Sequence, residues 1–127
     1  MVQDVLRDLD VVRELLQRIE QDPGYDNTSD NRPTLEELRM EGHSEEEIAY
    51  DLALLIQKGY VNGDAENGYS MPTIRGLTWE GHELLADISD PTIWAKTKER
   101  AKDLTQVGIG FAWEIAKSEI KKKLHLP

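Results

Sequence analysis

The chain has 127 residues, no cysteine and a formal net charge of −10, and 39% of its residues are hydrophobic. This composition is typical of one folded domain and excludes a disordered acidic tail, disulfide bonds and thiolate metal sites. No apolar run approaches the roughly 20 residues that span a bilayer, and the first residues lack the basic and apolar regions of a signal peptide, so we expect a cytoplasmic protein that does not enter a membrane.

The charge is distributed unevenly along the chain. Residues 1–90 hold 7 Lys and Arg against 21 Asp and Glu, a net charge of −14. Residues 91–127 hold 8 Lys and Arg against 4 Asp and Glu, a net charge of +4. Such a basic tail either binds an anion or packs on an acidic surface, which is its own or a partner's.

The first predicted element is an amphipathic helix that Asp22-Pro23-Gly24 ends. One stripe of this helix carries apolar residues at helical spacing: Val5, Leu9, Val12, Leu16 and Ile19. The segment Tyr25–Arg32 is polar and rich in turn-forming residues, which predicts a mobile loop. The next segment, Thr34–Met40, fits either a short strand or one helical turn, and the strand is favoured.

The central predicted helix begins after Ser44 and stops at Gly59. Ser44 with Glu47 three residues later has the spacing of a capping box, and glycine commonly follows a helix C-terminus. The inward face of the helix carries Ile48, Leu52, Leu55 and Ile56. Tyr50 and Leu54 lie one turn apart on another face. They either pack under the preceding polar loop or form an interface, and both alternatives stay open.

A hairpin and another helix follow the central helix. Tyr60–Asn62 and Ser70–Ile74 are predicted to form two antiparallel strands around a polar turn, and Thr78 is predicted to cap the next helix. A helix, a hairpin and a helix in this order are typical of the second half of a winged helix-turn-helix, in which the hairpin is the wing. The predicted fold class is therefore α+β, mainly α, with a winged helix-turn-helix domain at residues 1–90.

Two C-terminal helices are predicted in an extension at residues 91–127. Asp90-Pro91 combines an N-cap with a proline at the first helical position, and Gly108 and Gly110 bracket a hinge before the last helix. The last helix has an unusually broad apolar face for a terminal helix. The residues of this face are Ile109, Phe111, Ala112, Trp113, Ile115, Ala116, Ile120 and Leu124. The face must be covered by its own domain or by another chain, and we expect a homodimer in which it forms the interface.

Four motifs of the chain are similar to those of a known family: Arg7-Asp8-Leu9-Asp10-x-x-Arg13, Ser44-Glu45-Glu46-Glu47-Ile48-x-Tyr50-x-Leu52-x-Leu54-Leu55-Ile56-x-x-Gly59, Leu77-Thr78-Trp79-Glu80-Gly81-His82 and Thr92-Ile93-Trp94-x-Lys96-Thr97-Lys98. On these motifs the chain resembles the bacterial domain-of-unknown-function family 2513 over nearly its whole length. The resemblance implies a winged-helix-like fold and a setting on prophages or mobile elements, but no established activity. Members commonly have a histidine after the tyrosine of the second motif, where this chain has Asp51, so no role of that histidine carries over.

The sequence contains no recognisable catalytic or metal-binding motif. His82-Glu83 begins like a zinc-protease helix, but Ala86 stands where the second histidine is required, which favours a structural histidine. No Gly-x-Ser-x-Gly turn is present to expose a nucleophile, and Gly108-Ile109-Gly110 lacks the third glycine of a dinucleotide-binding loop. We therefore expect a protein that is not an enzyme and that needs no cofactor.

Two functional hypotheses remain. The helix in the position of a DNA-reading helix begins Ser44-Glu45-Glu46-Glu47, and carboxylates repel phosphates. The favoured hypothesis is thus a module that binds a protein partner on this acidic face, although carboxylates in a first turn also complement the helix dipole. The alternative is a DNA-binding transcriptional regulator whose tail contacts phosphates through Lys96, Lys98, Arg100 and Lys102. A solvated helix face is the simpler interpretation of these cations, since no aromatic or arginine-rich pattern accompanies them.

Overall fold

A computed structural model describes residues 2–33, 37, 38, 40, 42–65, 71–102 and 108–126, with side chains from Leu9 onwards. In these residues the chain forms five helices and three strands, which confirms the predicted α+β, mainly helical class. In chain order they are α1 (Val2–Gln21), β1 (Asp26–Asn31), α2 (Glu45–Gln57), β2 (Val61–Asp64), β3 (Thr73–Leu77), α3 (Trp79–Ile88), α4 (Pro91–Ala101) and α5 (Ile109–Lys123). None of the described helices is both long and apolar enough to cross a bilayer.

The chain divides into two compact units. Unit 1 comprises Met1–Arg13 and Glu83–Pro127, and unit 2 comprises Glu14–His82. This division differs from the predicted boundary at residue 90, because the start of α1 groups with the C-terminal helices. Unit 1 contains 10 acidic and 10 basic residues, whereas unit 2 contains 15 Asp and Glu against 5 Lys and Arg. The whole net charge of −10 therefore belongs to unit 2.

Unit 2 contains a three-stranded antiparallel sheet with the strand order β1–β3–β2. The pairing of β2 with β3 confirms the predicted antiparallel hairpin. The second strand of the hairpin occupies Thr73–Leu77 and not the predicted Ser70–Ile74. The predicted range contains Pro72, which has no backbone N–H to donate to a neighbouring strand, so the ladder begins after it. The second half of the predicted turn Gly63–Gly68 and the predicted first residue of the second strand, Ser70, lie outside the described residues.

The prediction of a mobile loop at Tyr25–Arg32 is wrong over most of its length, because Asp26–Asn31 forms β1. This strand lies at one edge of the sheet and pairs with β3 in an irregular register. Asn27 has a φ of 69°, and its side-chain amide donates to the carbonyl oxygen of Leu77 at 3.0 Å. All side chains of β1 except the last are exposed, so no alternation of apolar and polar residues marks the strand in the sequence.

Three predictions fall wholly or partly outside the described residues. The predicted strand at Thr34–Met40 is described only at Glu37, Leu38 and Met40, and these three residues lie in no strand. Helical spacing also predicts that Leu104 continues the inward stripe of the helix that begins at Asp90-Pro91. Leu104 and the side chain of Val5 in the stripe of α1 lie outside the described part of the chain.

Most residues of the predicted apolar stripes are buried in both units, whereas Ile56 of the predicted stripe of α2 is half-buried. In unit 2 the buried side chains include Leu15, Leu16, Ile19, Ile48, Leu52, Leu55, Val61, Ile74 and Leu77. In unit 1 they include Leu9, Val12, Leu84, Leu85, Ile88, Ile93, Trp94, Ala112 and Ala116. Burial of each large aliphatic side chain stabilises the fold by about 1.5–3 kcal/mol relative to its exposure.

Three predicted N-caps are present at the starts of helices. The Ser44 hydroxyl accepts the backbone N–H of Glu47 at 3.1 Å, and the Thr78 hydroxyl accepts that of Gly81 at 3.0 Å. The carboxylate of Asp90 accepts two backbone N–H groups of the first turn of α4, at 2.8 and 3.1 Å. These bonds satisfy donors that have no partner inside the helix, which is why the helices begin where they do.

Candidate functional site

The exposed face of α2 is acidic at its N-terminal end. Glu45 and Glu46 are exposed and have no hydrogen-bonding or ionic partner among the described residues. Further along the helix, the predicted interface residue Tyr50 is 55% exposed, whereas Leu54 is half-buried. This exposure excludes full packing of the Tyr50 ring under a neighbouring segment. Two carboxylates and an aromatic ring are therefore accessible along α2.

Glu47 differs from the two carboxylates before it because the helix cap uses its side chain. Its Oε2 lies 3.1 Å from Nδ1 of His43. The hydrogen bond to His43, with a further one from the backbone N–H of Ser44, holds the pKa of Glu47 below its usual value. An ionised carboxylate at this position also suits the partial positive charge of the helix N-terminus. Capping accounts for a glutamate at position 47 but not for those at the two preceding positions.

Arg75 on β3 is bound by carboxylates from both neighbouring strands. Its Nη1 donates to Asp30 of β1 at 2.9 Å and to Asp64 of β2 at 3.0 Å. Its Nε donates to the side-chain oxygen of Asn62 at 3.3 Å. The hydrogen bond and charge of Arg75 lower the pKa of Asp64. Two carboxylates thus surround one cation, and this face of the sheet stays negative.

The start of α3 is held against the turn that follows α2 by hydrogen bonds from Thr78. The N–H of Thr78 donates to the carbonyl oxygen of Tyr60 at 3.1 Å, and the Thr78 hydroxyl donates to the carbonyl oxygen of Gly59. A Cβ at Gly81 would lie 2.0 Å from the carbonyl oxygen of Tyr60. Only glycine permits such an approach, so the first turn of α3 is fixed by this junction.

The three tryptophans of the chain occupy different environments. Trp94 is 3% exposed, and its indole N–H donates to Asp10 at 2.8 Å. Trp113 is half-buried, and its indole N–H donates to Asp87 at 2.7 Å. Trp79, in the first turn of α3, is 80% exposed and makes no hydrogen bond within the described part of the chain. Its indole is a large apolar surface that the packing of its own chain does not use.

Two of the four sequence motifs meet in unit 1. Asp10 accepts the indole N–H of Trp94 at 2.8 Å and pairs with Lys98 at 3.0 Å. Arg13 donates to two carbonyl oxygens at the C-terminal end of α3, each at 2.8 Å, and its guanidinium lies 5.7 Å from the centre of the Trp94 ring. These motif residues form a structural cluster that ties α1 to α3 and α4. The Trp79 motif has no such internal role for its ring.

The cations of α4 and α5 pair mainly with carboxylates of unit 1. The pairs include Lys98–Asp10 at 3.0 Å, Arg100–Glu119 at 2.7 Å, Lys102–Glu99 at 2.6 Å and Lys123–Asp90 at 3.2 Å. The basic tail is therefore largely neutralised by its own chain, which is one of the two predicted alternatives. Of the four cations predicted to contact phosphates, Lys96 alone makes no ion pair with a described residue.

The broad apolar face of α5 is covered in large part within unit 1, where α4 and α5 pack against each other. Its buried members are Ile109, Ala112, Ile115 and Ala116. Ile109 was predicted to lie in an interface with a second chain, but it is only 7% exposed and has no surface to offer. Trp113 and Ile120 are half-buried, and Phe111 and Leu124 are 55% and 59% exposed.

A family model described as "Hypothetical protein (DUF2513)" matches residues 6–108 of this chain. The chain belongs to this family. An "Uncharacterized protein" of Haemophilus influenzae is similar to the chain, with 32% identity over 98 residues that cover 76% of this chain and 78% of the relative. No solved structure matches. The resemblance inferred from the four motifs is thereby confirmed.

The region matched by the DUF2513 model contains the acidic face of α2, the hairpin and Trp79, and it ends where α5 begins. The predicted dimer helix therefore lies beyond the matched region. Within the described residues, no three or more His, Asp or Glu side chains are grouped as in a metal site. His82, the residue that begins like a zinc-protease motif, is exposed on α3 and does not lie in a core.

Two features of the candidate surface were not predicted from the sequence. The exposure of Trp79 had a usable signal, because about 100° of rotation per residue places position 79 opposite the inward stripe of Leu84, Leu85 and Ile88. The double pairing of Arg75 had none, because one of its two partners lies on β1, which the sequence did not indicate as a strand.

Proposed function

We propose that this DUF2513 protein is a non-enzymatic, cytoplasmic winged-helix module that binds a partner protein on the acidic surface of unit 2, in the control of a mobile element. The observation that carries the proposal is the pairing of Arg75, the cation of the described hairpin, with Asp30 and Asp64 at 2.9 and 3.0 Å. A wing that binds DNA offers cations to phosphates, whereas this one already uses its cation internally.

The sheet topology supports the winged-helix part of the proposal. In a winged helix-turn-helix the first strand pairs with the second strand of the wing, and the helix before the wing reads DNA. The strand order β1–β3–β2 and the position of α2 immediately before β2 fit that arrangement. In this fold α2 would be the reading helix, and its exposed N-terminal turn carries Glu45 and Glu46.

The distribution of charge supports a protein partner over DNA. Specific DNA binders neutralise several phosphates with lysine and arginine side chains. Unit 2 has three acidic residues for every basic one, 15 against 5. In unit 1, most of the described cations of α4 already pair with carboxylates of the same unit. Phosphates would therefore meet repulsion at unit 2 and few available cations at unit 1.

Fluorescence anisotropy with labelled DNA duplexes, of random sequence and from the region upstream of the gene, tests this proposal. At low salt we expect no saturable binding up to about 100 μM protein, a concentration at which non-specific DNA binders are already bound. Submicromolar, salt-sensitive binding would overturn the proposal in favour of a DNA-binding regulator. Loss of that binding in Lys96→Glu, a change that breaks no ion pair with a described residue, would then locate the DNA surface on α4.

A homodimer through α5 is the second part of the proposal. The apolar surface that supports a dimer is smaller than the sequence indicates, because four of the eight apolar residues on the predicted face are buried within unit 1. Four remain: Phe111 and Leu124, which are 55% and 59% exposed, and the half-buried Trp113 and Ile120. Light scattering at tens of micromolar is expected to give twice the chain mass of 14.5 kDa, and Phe111→Ser is expected to return it to one chain. A monomeric wild type would contradict the dimer.

A further inference from the structure

We propose that the indole ring of Trp79 is the anchor for a segment of the partner protein rich in arginine and lysine, with a cationic side chain of that segment stacked on the ring. This inference rests on the proposed function and specifies the chemistry of the partner. Trp79 is 80% exposed. Tryptophan is the residue most enriched among those that dominate binding at protein interfaces.

The other two tryptophans of the chain show how this molecule uses the face of an indole. The Nζ atom of Lys117 lies 4.1 Å from the centre of the Trp113 ring. The guanidinium of Arg13 lies 5.7 Å from the centre of the Trp94 ring. Both rings thus have a cation from their own chain within the range of cation–π attraction. Within the described residues, no cation of the chain occupies the face of Trp79, which leaves it open to a cation from another molecule.

The backbone around Trp79 is organised before any partner binds. The N–H and hydroxyl groups of Thr78 donate to carbonyl oxygens of the turn that follows α2, and Gly81 packs against the carbonyl oxygen of Tyr60 without room for a Cβ. The ring therefore projects from a fixed turn. Less conformational entropy is lost on binding when the anchor residue stands on backbone that is already ordered.

The charge of unit 2 selects the class of partner. All of the net charge of −10 belongs to this unit, and the exposed Glu80 follows the tryptophan directly. Opposite charge on a partner increases the rate of encounter and favours correct orientation, whereas like charge disfavours it. Nucleic acid bases also stack on tryptophan, but their phosphates would be repelled by unit 2. A second copy of the chain supplies few cations, since those of its tail are largely paired within unit 1.

Anisotropy with three labelled peptides of equal length tests the inference: an arginine–glycine, a lysine–glycine and a glutamine–glycine repeat. The wild type is expected to bind the arginine peptide most tightly, because guanidinium stacks on aromatic rings better than ammonium does, and to show no binding to the glutamine peptide. Trp79→Ala is expected to lower the affinity for the arginine peptide about tenfold. Leu126→Ala, which removes an exposed apolar side chain from unit 1 and lies outside the proposed dimer interface, is the control and should leave the affinity unchanged.

Several results would overturn the inference. Equal affinity of the wild type and Trp79→Ala for the arginine peptide would show that Trp79 is not the anchor. Tight binding of the glutamine peptide would show that charge does not select the partner. Self-association that depends on Trp79, measured by light scattering, would make a second copy the occupant. Binding of a single-stranded oligonucleotide that depends on Trp79 and is tighter than binding of the peptide would show that the ligand of Trp79 is a nucleic acid.

The failure of this inference can be distinguished from the failure of the proposed function. Duplex binding that does not change in Trp79→Ala overturns the proposed function. A wild type that binds no duplex, together with peptide binding that is insensitive to Trp79→Ala, overturns the inference alone.

Discussion

Gly81 and Tyr60 approach so closely that a Cβ at position 81 would lie 2.0 Å from the carbonyl oxygen of Tyr60. The same oxygen accepts the backbone N–H of Thr78 at 3.1 Å. The carbonyl cannot move away from position 81 without straining this hydrogen bond, so any side chain at position 81 must displace the start of α3.

Gly81→Ala is therefore expected to lower the free energy of unfolding by about 3 kcal/mol, the upper end of the usual range for overpacking of a well-packed interior. Urea denaturation followed by circular dichroism measures this. Gly108→Ser is the control, because a Cβ there meets no atom within 4 Å and serine is a good N-cap for α5; its expected change is within about 0.5 kcal/mol. A Gly81→Ala variant as stable as the wild type would contradict the close approach of position 81 to the carbonyl oxygen of Tyr60.

The hydrogen bond between Asp10 and Trp94 is expected to contribute measurably to stability. The indole N–H of Trp94 donates to the Asp10 carboxylate at 2.8 Å, and the ring itself is 3% exposed. Asp10→Ala leaves this donor without its acceptor and should cost about 1–3 kcal/mol. Asp10→Asn keeps an acceptor and should recover most of the loss. Thermal unfolding of the two variants compares them directly, and equal melting temperatures for both would contradict a role for the acceptor.

The pair between Glu119 and Arg100 predicts a pH dependence of stability. Glu119 is 7% exposed, and Arg100 donates to it at 2.7 Å. This hydrogen bond lowers the pKa of Glu119 in the folded state below its ordinary value of 4.5. The carboxylate therefore stabilises the fold above that ordinary value, and this contribution is lost as the pH falls through the folded-state pKa.

Glu119→Gln tests this dependence. The free energy of unfolding of the variant is expected to lie about 1 kcal/mol below that of the wild type at neutral pH. The difference should shrink as the pH is lowered past about 4, where unpaired glutamates become protonated. Glu114→Gln, which removes the partner of Lys117 in an exposed pair, is the control. A difference for Glu119→Gln that stays constant from neutral to acidic pH would exclude the pair as its source.

The exposure of Trp79 predicts its contribution to fluorescence. Because Trp94 is buried and Trp113 is half-buried, Trp79 is expected to supply most of the emission that acrylamide quenches. Trp79→Phe should lower the quenching constant and move the emission maximum to shorter wavelength, with a free energy of unfolding within about 0.5 kcal/mol of the wild type. Unchanged quenching in this variant would show that the ring is covered in solution.

Interactions between residues close in the sequence are sufficient to predict where these helices begin. Ser44, Thr78 and Asp90 all cap the helices predicted to begin after them, because an N-cap acts through backbone groups two or three residues away. The inward stripe of α2 was likewise set by helical spacing alone. These features depend on neighbours in the sequence, and for that reason the sequence predicts them.

The features that were missed depend on residues distant in the sequence. All side chains of β1 but the last are exposed, and the strand acquires its conformation from pairing with β3, so its own residues indicate a loop. Asp30 and Arg75 are 45 positions apart, and only the sheet brings them together. The covering of α5 depended on packing against α4, which periodicity alone could not distinguish from a second chain.

The outer edge of β1 restricts how any partner can attach. An open strand edge usually invites another chain to extend the sheet through main-chain hydrogen bonds. Here the Asp26 side chain accepts the backbone N–H of Thr28 at 3.0 Å, and Asn27 adopts a left-handed conformation that a regular ladder does not contain. The irregular register with β3 further distorts this edge. This edge of the sheet is thereby protected against edge-to-edge aggregation, and a partner that approaches β1 must be recognised through side chains.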